Sequence, residues 1–185
     1  MIFLLNAHLE PVFKILLPEL ENIGIDYWVF GGISIAAYAG KFIRHNKDVD
    51  IFVKETDFQQ TKSILNDVCE LNGYQLIPHI PLEGRSKLDI RINGKELLSV
   101  IPAYLRSSIV EFEFGKVIDN YPPQILEKVR RNIDGNKFYT PSNEYIKKFF
   151  LNHLIARKDK INRPGIRTDI KAIFTPGEQD KYNLV

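Results

Sequence analysis

Apolar residues recur at helical spacing behind Pro11, at Val12, Phe13, Ile15, Leu16, Leu17 and Leu20, which predicts an amphipathic helix over residues 9–23 that closes before Gly24. Tyr27-Trp28-Val29-Phe30 is a short unbroken apolar run that ends at Gly31-Gly32, the pattern of a buried strand entering a tight turn. Small apolar residues over 33–39, with Gly40 behind them, predict a short helix. Residues 48–53 follow in period 2 as the next strand. Thr56 is then expected to cap a helix whose apolar face is Phe58, Ile64, Leu65, Val68 and Leu71, stopping at Gly73.

Residues 74–77 and 87–92 read as strands joined by a loop bearing Pro and Gly. Asn93-Gly94 is a hairpin turn into a strand over 96–101. Residues 109–114 alternate apolar and acidic side chains, as a one-sided strand does. Pro122-Pro123 opens a short helix running through Val129, and Pro141-Ser142 marks a boundary before two helices broken near Pro164-Gly165. This order predicts an α+β fold: a mixed sheet flanked by helices over residues 1–140, with a small helical lobe over 141–185 packed on it.

Composition narrows the class without naming a function. The 185 residues are 44% hydrophobic and 26% charged, ordinary for a globular chain, which excludes a disordered tail, a collagen-like fibre and a coiled coil. The net charge of +2 is unevenly spread, because residues 145–173 hold eight bases and only two acids. Such a basic lobe attracts polyanions. The single cysteine, Cys69, excludes an intramolecular disulfide and fits a reducing compartment. No run of about 18 apolar residues is present, so no membrane span is expected and the chain reads as cytoplasmic.

Three features carry candidate chemistry. Gly31-Gly32 stands at a strand-to-helix turn, where backbone N–H groups can approach an anion, and Ser34 adds a hydroxyl in the first helical turn. Asp48 and Asp50 sit two apart at the opening of a strand, so both carboxylates project from one face. Like charges so placed favour solvent or a cation, and Mg²⁺ prefers carboxylate oxygens and phosphates. Asp89 is flanked by Leu88 and Ile90 in mid-strand, where a carboxylate needs a partner: a metal ion, or a structural ion pair with Arg91 or Arg85. The scattered histidines show no metal-ligand spacing.

Together, Gly31-Gly32, Asp48-Val49-Asp50 and Asp89, with Arg44 four residues ahead of the pair, resemble the nucleotidyltransferase superfamily with the DNA polymerase β-like core. The phrase WVFGGISIAAYAGKFIRHNKDVDIFV is most similar to the antibiotic-modifying branches, of lincosamide and aminoglycoside type, and to toxin-type members. The resemblance implies a transferase that moves an NMP from an NTP, such as ATP, to an acceptor hydroxyl with release of pyrophosphate. It further implies two Mg²⁺ ions, for which Mn²⁺ can substitute, held by Asp48, Asp50 and Asp89, with Asp89 also able to take the acceptor proton. Gly31, Gly32 and Ser34 would hold the polyphosphate, aided by Arg44, Arg157 and Lys158. The implied acceptor is a small molecule of antibiotic type; the alternatives are tRNA or a protein side chain, or a degenerate module that binds nucleotide or a partner without turnover. Gly32 is followed by Ile33, displacing the serine to Ser34, and no acceptor motif is visible.

Overall fold

The computed structural model describes residues 5–79, 87–114 and 117–184. A π-helical turn, Val12–Leu16, runs into α1, Leu17–Asn22, so the predicted N-terminal helix exists in two geometries. Then come β1 (Tyr27–Phe30), α2 (Gly31–Ala39), β2 (Val49–Lys54), α3 (Phe58–Asn72), β3 (Gln75–His79), β4 (Lys87–Ile92), β5 (Lys95–Arg106), β6 (Ile109–Phe114) and β7 (Val117–Tyr121). A separate hairpin, β8 (Val129–Ile133) with β9 (Asn136–Thr140), precedes α4 (Asn143–Ala156), α5 (Pro164–Ile173) and α6 (Pro176–Lys181).

The main sheet runs β1-β2-β5-β4-β3, with β6 on β5 and β7 on β6. Among the described residues only β2 and β5 pair in parallel; the other ladders are antiparallel, so the predicted mixed sheet is what forms. β5 is long enough to belong to three ladders, with β4 and β2 over residues 95–103 and with β6 over residues 103–106. Asn93 (φ 51) and Gly94 (φ 74) both take left-handed backbone at the predicted hairpin turn, as a type I′ turn demands.

Burial on both faces explains why β1 and β2 read as near-continuous apolar runs. On one face Tyr27, Val29, Val49, Ile51, Val53, Leu88, Ile90 and Val100 pack with the N-terminal helices and α3. On the other, Trp28, Phe30, Phe52, Phe112 and Tyr121 form an aromatic layer against Phe149 of α4. A third cluster joins Ile35 of α2 to Ile146, Phe150, Leu154, Ile170 and Ile173, which seats α4 and α5 on α2. No helix among the described residues is long and apolar enough to cross a membrane.

Several boundaries differ from expectation. Thr56 is not the cap of α3: a 3₁₀ turn, Glu55–Asp57, precedes it, and Asp57 occupies the cap position. Leu71 is 86% exposed, whereas Cys69, whose thiol burial pushes up to about 11, takes the inward position. The helix expected to reach Val129 is a 3₁₀ turn, Pro123–Leu126, and β7, β8 and α6 are additional elements. The Pro- and Gly-bearing loop after His79 lies outside the described residues over 80–86.

Two substitutions separate these surfaces. Phe112→Ala opens the aromatic layer and should cost about 3–5 kcal/mol in urea unfolding. Leu71→Ser should stay within about 0.5 kcal/mol of the parent, because its side chain already stands in water.

Candidate active site

β1 ends at Phe30, directly opposite Asp50 of β2, and the chain turns straight into α2. Gly31 has φ 64, and a Cβ there would stand 2.6 Å from Asp50 Oδ2. That position therefore requires glycine for its backbone and for its space. A Cβ on Gly32 would fall against Asn46 Oδ1 and the Arg44 guanidinium. The glycine pair thus lets the N-terminus of α2 lie against the carboxylate and the loop before β2. Ser34 is buried and its Oγ donates to the Gly31 carbonyl at 2.8 Å, bracing the turn.

A cavity of about 530 Å³ opens at this turn. Its floor holds Gly31, Gly32, Ser34, Asp48 and Asp50; α4 walls it with Ile146, Phe149, Phe150, His153 and Arg157, and Lys87 and Glu113 face it from the sheet. Asp48 and Asp50 enter together, as their i, i+2 spacing predicts. Burial, followed by the Asp48 charge, pushes the Asp50 carboxyl up to about 7. Burial and the Glu96 charge raise Asp48 as well. Two half-buried carboxylates that repel each other are a donor set suited to a hard divalent cation.

Asp89 shares the face of the pair, and its charge is felt at both carboxyls. It lies on the same face and in the same row of the sheet, opposite Ser99, which is itself opposite Asp50. One strand therefore intervenes, which separates the two Cα atoms by roughly 9–10 Å. Asp89 is 2% exposed and is met by His79 at 2.7 Å, Lys87 at 2.8 Å and Ser99 Oγ at 2.9 Å. Burial alone would raise its carboxyl, but the hydrogen bonds from Lys87 and Ser99 outweigh that and hold it below the ordinary carboxylate value. Of the two expected ion-pair partners, Arg91 makes no pair with it among the described residues, and Arg85 lies outside those residues. Among the described residues, no three His, Cys, Asp or Glu side chains are grouped as a metal site.

The basic residues divide in a similar way. Arg44 lines the cavity, but its guanidinium is engaged: Nε and Nη2 each donate to Asp169 at 2.7 Å, a bidentate bridge from the loop before β2 to α5. Asp169 is 1% exposed; burial raises its carboxyl and Arg44 opposes that rise. Arg157 reaches the cavity, whereas Lys158, in a 3₁₀ turn after α4, does not line it. His153 is a site residue the sequence reading set aside; burial, then Arg157 and Lys160, lower its ring to about 4, leaving it neutral at pH 7. Lys87 was also missed, although its i, i+2 spacing from Asp89 places both on one face of β4. Glu113 and Asp169 carried no local signal, since only the fold brings β6 and α5 to the cavity.

Residues 12–79 match the family model described as aminoglycoside-2″-adenylyltransferase, a span that holds the glycine pair, Arg44, Asp48 and Asp50 but not Asp89. No curated protein matches the chain. Among solved structures, ANT(2″)-Ia in complex with adenylyl-2″-tobramycin is similar at a TM-score of 0.61 and 15% identity, over 97% of this chain and 94% of that one. The lincomycin-bound lincosamide antibiotic adenylyltransferase LnuA is similar at 0.56 and 19% identity, over 86% of this chain and 94% of that one. An antigenic nucleotidyltransferase-like protein from Paracoccidioides brasiliensis is similar at 0.51 and 18%, over 90% of this chain and 74% of that one. At these identities the likeness is one of fold.

Two outcomes follow from the site's charges. The raised Asp50 carboxyl means that its folded-state proton is held more tightly than in the unfolded chain. Its contribution is therefore intact below the unfolded value of 3.8 and lost as pH rises through about 7. Metal-free Asp50→Asn should match or exceed the parent in melting temperature, by a few degrees above about pH 7, with the gap closing toward about pH 4. Asp169→Asn should behave oppositely, lowering stability by about 2 kcal/mol in denaturant titrations, because it leaves the partly buried Arg44 guanidinium without its counter-charge.

Proposed function

Since the chain is built on the nucleotidyltransferase fold and its glycine turn and Asp-x-Asp pair lie within the span that matches an adenylyltransferase family, we propose that it transfers an NMP from an NTP to an acceptor hydroxyl and releases pyrophosphate. The observation that carries this reading is the entry of Asp48 and Asp50, both raised toward neutrality, into the cavity that also exposes the N-terminus of α2. In this reading residues 1–140 are the catalytic unit and 141–185 a lobe that completes the nucleotide pocket.

Asp48 and Asp50 are the residues that would hold divalent metal, Mg²⁺ by their all-oxygen chemistry. Such ions supply positive charge to the attacking and leaving oxygens. The chain's own residues do the rest. Gly31 and Gly32 let backbone N–H groups of α2 reach a polyphosphate, and Arg157 adds positive charge from α4. Arg44 shapes the pocket by fixing α5 through Asp169, and its charge toward the phosphates is shared with that carboxylate. Lys87, anchored by Asp89, brings an ammonium to the carboxylate pair. Phe149 and Phe150 offer apolar rings that exclude water from the cavity wall.

Calorimetry with each NTP and Mg²⁺, followed by mass spectrometry of acceptors that include aminoglycosides and lincosamides, tests the reading. NTP should bind more tightly than NMP, and Asp48→Asn should reduce turnover by at least about a hundredfold while the fold melts no lower than the parent. Equal affinity for NMP and NTP, or full turnover in Asp48→Asn, would reject it.

A further inference from the structure

A second cavity, of about 550 Å³, is lined by His8, His45, Lys47, Arg91, Lys95 and Glu96. Lys47 adjoins Asp48 in the chain, and the charges of Lys47 and Glu96 are both felt at the Asp48 carboxyl, so the two cavities share one electrostatic neighbourhood. Arg91 is the centre of the argument. Ile90 pairs with Leu98 but Arg91 pairs with Glu96, so Leu97 is an extra residue and the ladder bulges there. Bulges beside functional sites re-aim side chains. The re-aimed guanidinium has its Nε buried with no hydrogen-bond partner among the described residues.

A buried charged donor without an acceptor is costly, and an absent ligand is one of the few explanations for it. Glu96, opposite Arg91 in the ladder, does not supply the acceptor: its carboxylate lies 3.1 Å from Ser99 Oγ and 3.6 Å from Lys87 Nζ, and it makes no hydrogen bond to Arg91 Nε. Around Arg91 the remaining polar wall is cationic or imidazole. His8 and His45 stack with ring centroids 4.8 Å apart, and His8 Nε2 donates to the Lys47 carbonyl at 3.3 Å, which fixes the stack over the pocket. Lys47 and Lys95 are exposed at the rim.

We propose that this pocket binds a phosphate group carried by the acceptor, with Arg91 as its anchor. The proposal rests on the nucleotidyl-transfer reading of the first cavity, to whose Asp48 this pocket is joined through the adjacent Lys47. An Arg fork matches a phosphate bidentately, and the two lysines complete its charge. A polycationic acceptor would meet three like charges here and be repelled. The acceptor class is accordingly a phosphate-bearing one, either a nucleic acid end or a phosphorylated sugar.

The test titrates the full chain, without NTP, with inorganic phosphate, ribose 5-phosphate and a short 5′-phosphorylated RNA, read by calorimetry and thermal shift at low salt. The parent should bind saturably, Arg91→Gln should weaken binding by about tenfold or more, and Lys47→Gln/Lys95→Gln by several-fold. The double variant changes only exposed residues, so it decides the matter even if Arg91→Gln fails to fold. Tighter RNA than ribose phosphate supports the proposal with nucleic acid as the source; the reverse order supports it with a small phosphorylated acceptor. Unchanged phosphate affinity in the double variant, or in a folded Arg91→Gln, or phosphate displaced competitively by saturating NTP, overturns it. Failure of the nucleotidyl-transfer reading would show separately, as loss of NTP binding by the parent.

Discussion

Asp48 and Asp50 leave the sheet on the same face, close enough for like charge to be disfavoured, and among the described residues neither has a cation against it within hydrogen-bonding distance. Much of the surrounding architecture is an accommodation of that pair. Because Asp50 lies opposite the last residue of β1, the chain must turn into α2 across the face of a carboxylate, and only a residue without Cβ can make that turn. The helix that follows points its N-terminus, with its partial positive charge, into the same space. The apolar remainder of the face, Phe52 and the aromatic layer on it, keeps water from diluting these charges.

The C-terminal helices are joined to this arrangement by two kinds of contact. Ile146, Phe150 and Ile170 supply non-directional burial against α2, which sets affinity between the layers but tolerates sliding. The Arg44–Asp169 fork supplies direction, because two parallel hydrogen bonds accept only one orientation of α5 relative to the loop before β2. Gly165 leaves room for that fork, with the Arg44 chain within 3.3 Å of where its Cβ would be. The cavity wall formed by α4 and α5 is thus placed by the residue that a motif reading assigns to phosphate.

The sequence was most legible where one local rule fixed the outcome. Strand periodicity put Asp48 and Asp50 on one face, and the glycine pair marked a turn that has no room for side chains. The Asn93-Gly94 hairpin was equally plain. Legibility failed where the outcome depended on which strands become neighbours. Asp89 was rightly read as a mid-strand acid that needs a partner, but β5 enters between β4 and β2, so its partners are Lys87, His79 and Ser99. The sequence marks Arg44 as a cation for the polyphosphate, but nothing local announces that Asp169, 125 residues away, folds against it. β7 and β8 were overlooked because their exposed polar positions dilute the alternation. Thr56 and Leu71 failed for the smaller reason that a 3₁₀ turn shifts where α3 begins.

Asp169, Asp89, Asp48 and Asp50 meet the same electrostatic demand, and they meet it differently. Asp169 is neutralised by a fork, and Asp89 by an ammonium, an imidazole and a hydroxyl. Both carboxylates are thereby met by partners from the chain itself. Asp48 and Asp50 are left mutually repelling beside an open cavity. A chain that pairs its other buried acids has the means to pair these two, and Lys87 stands near enough to have been placed between them. That it anchors on Asp89 instead leaves the pair's negative charge available to something that arrives from outside. Selection of the site from the rest of the molecule therefore rests on which charges the fold declines to satisfy, a property of the strand order that no single stretch of sequence contains.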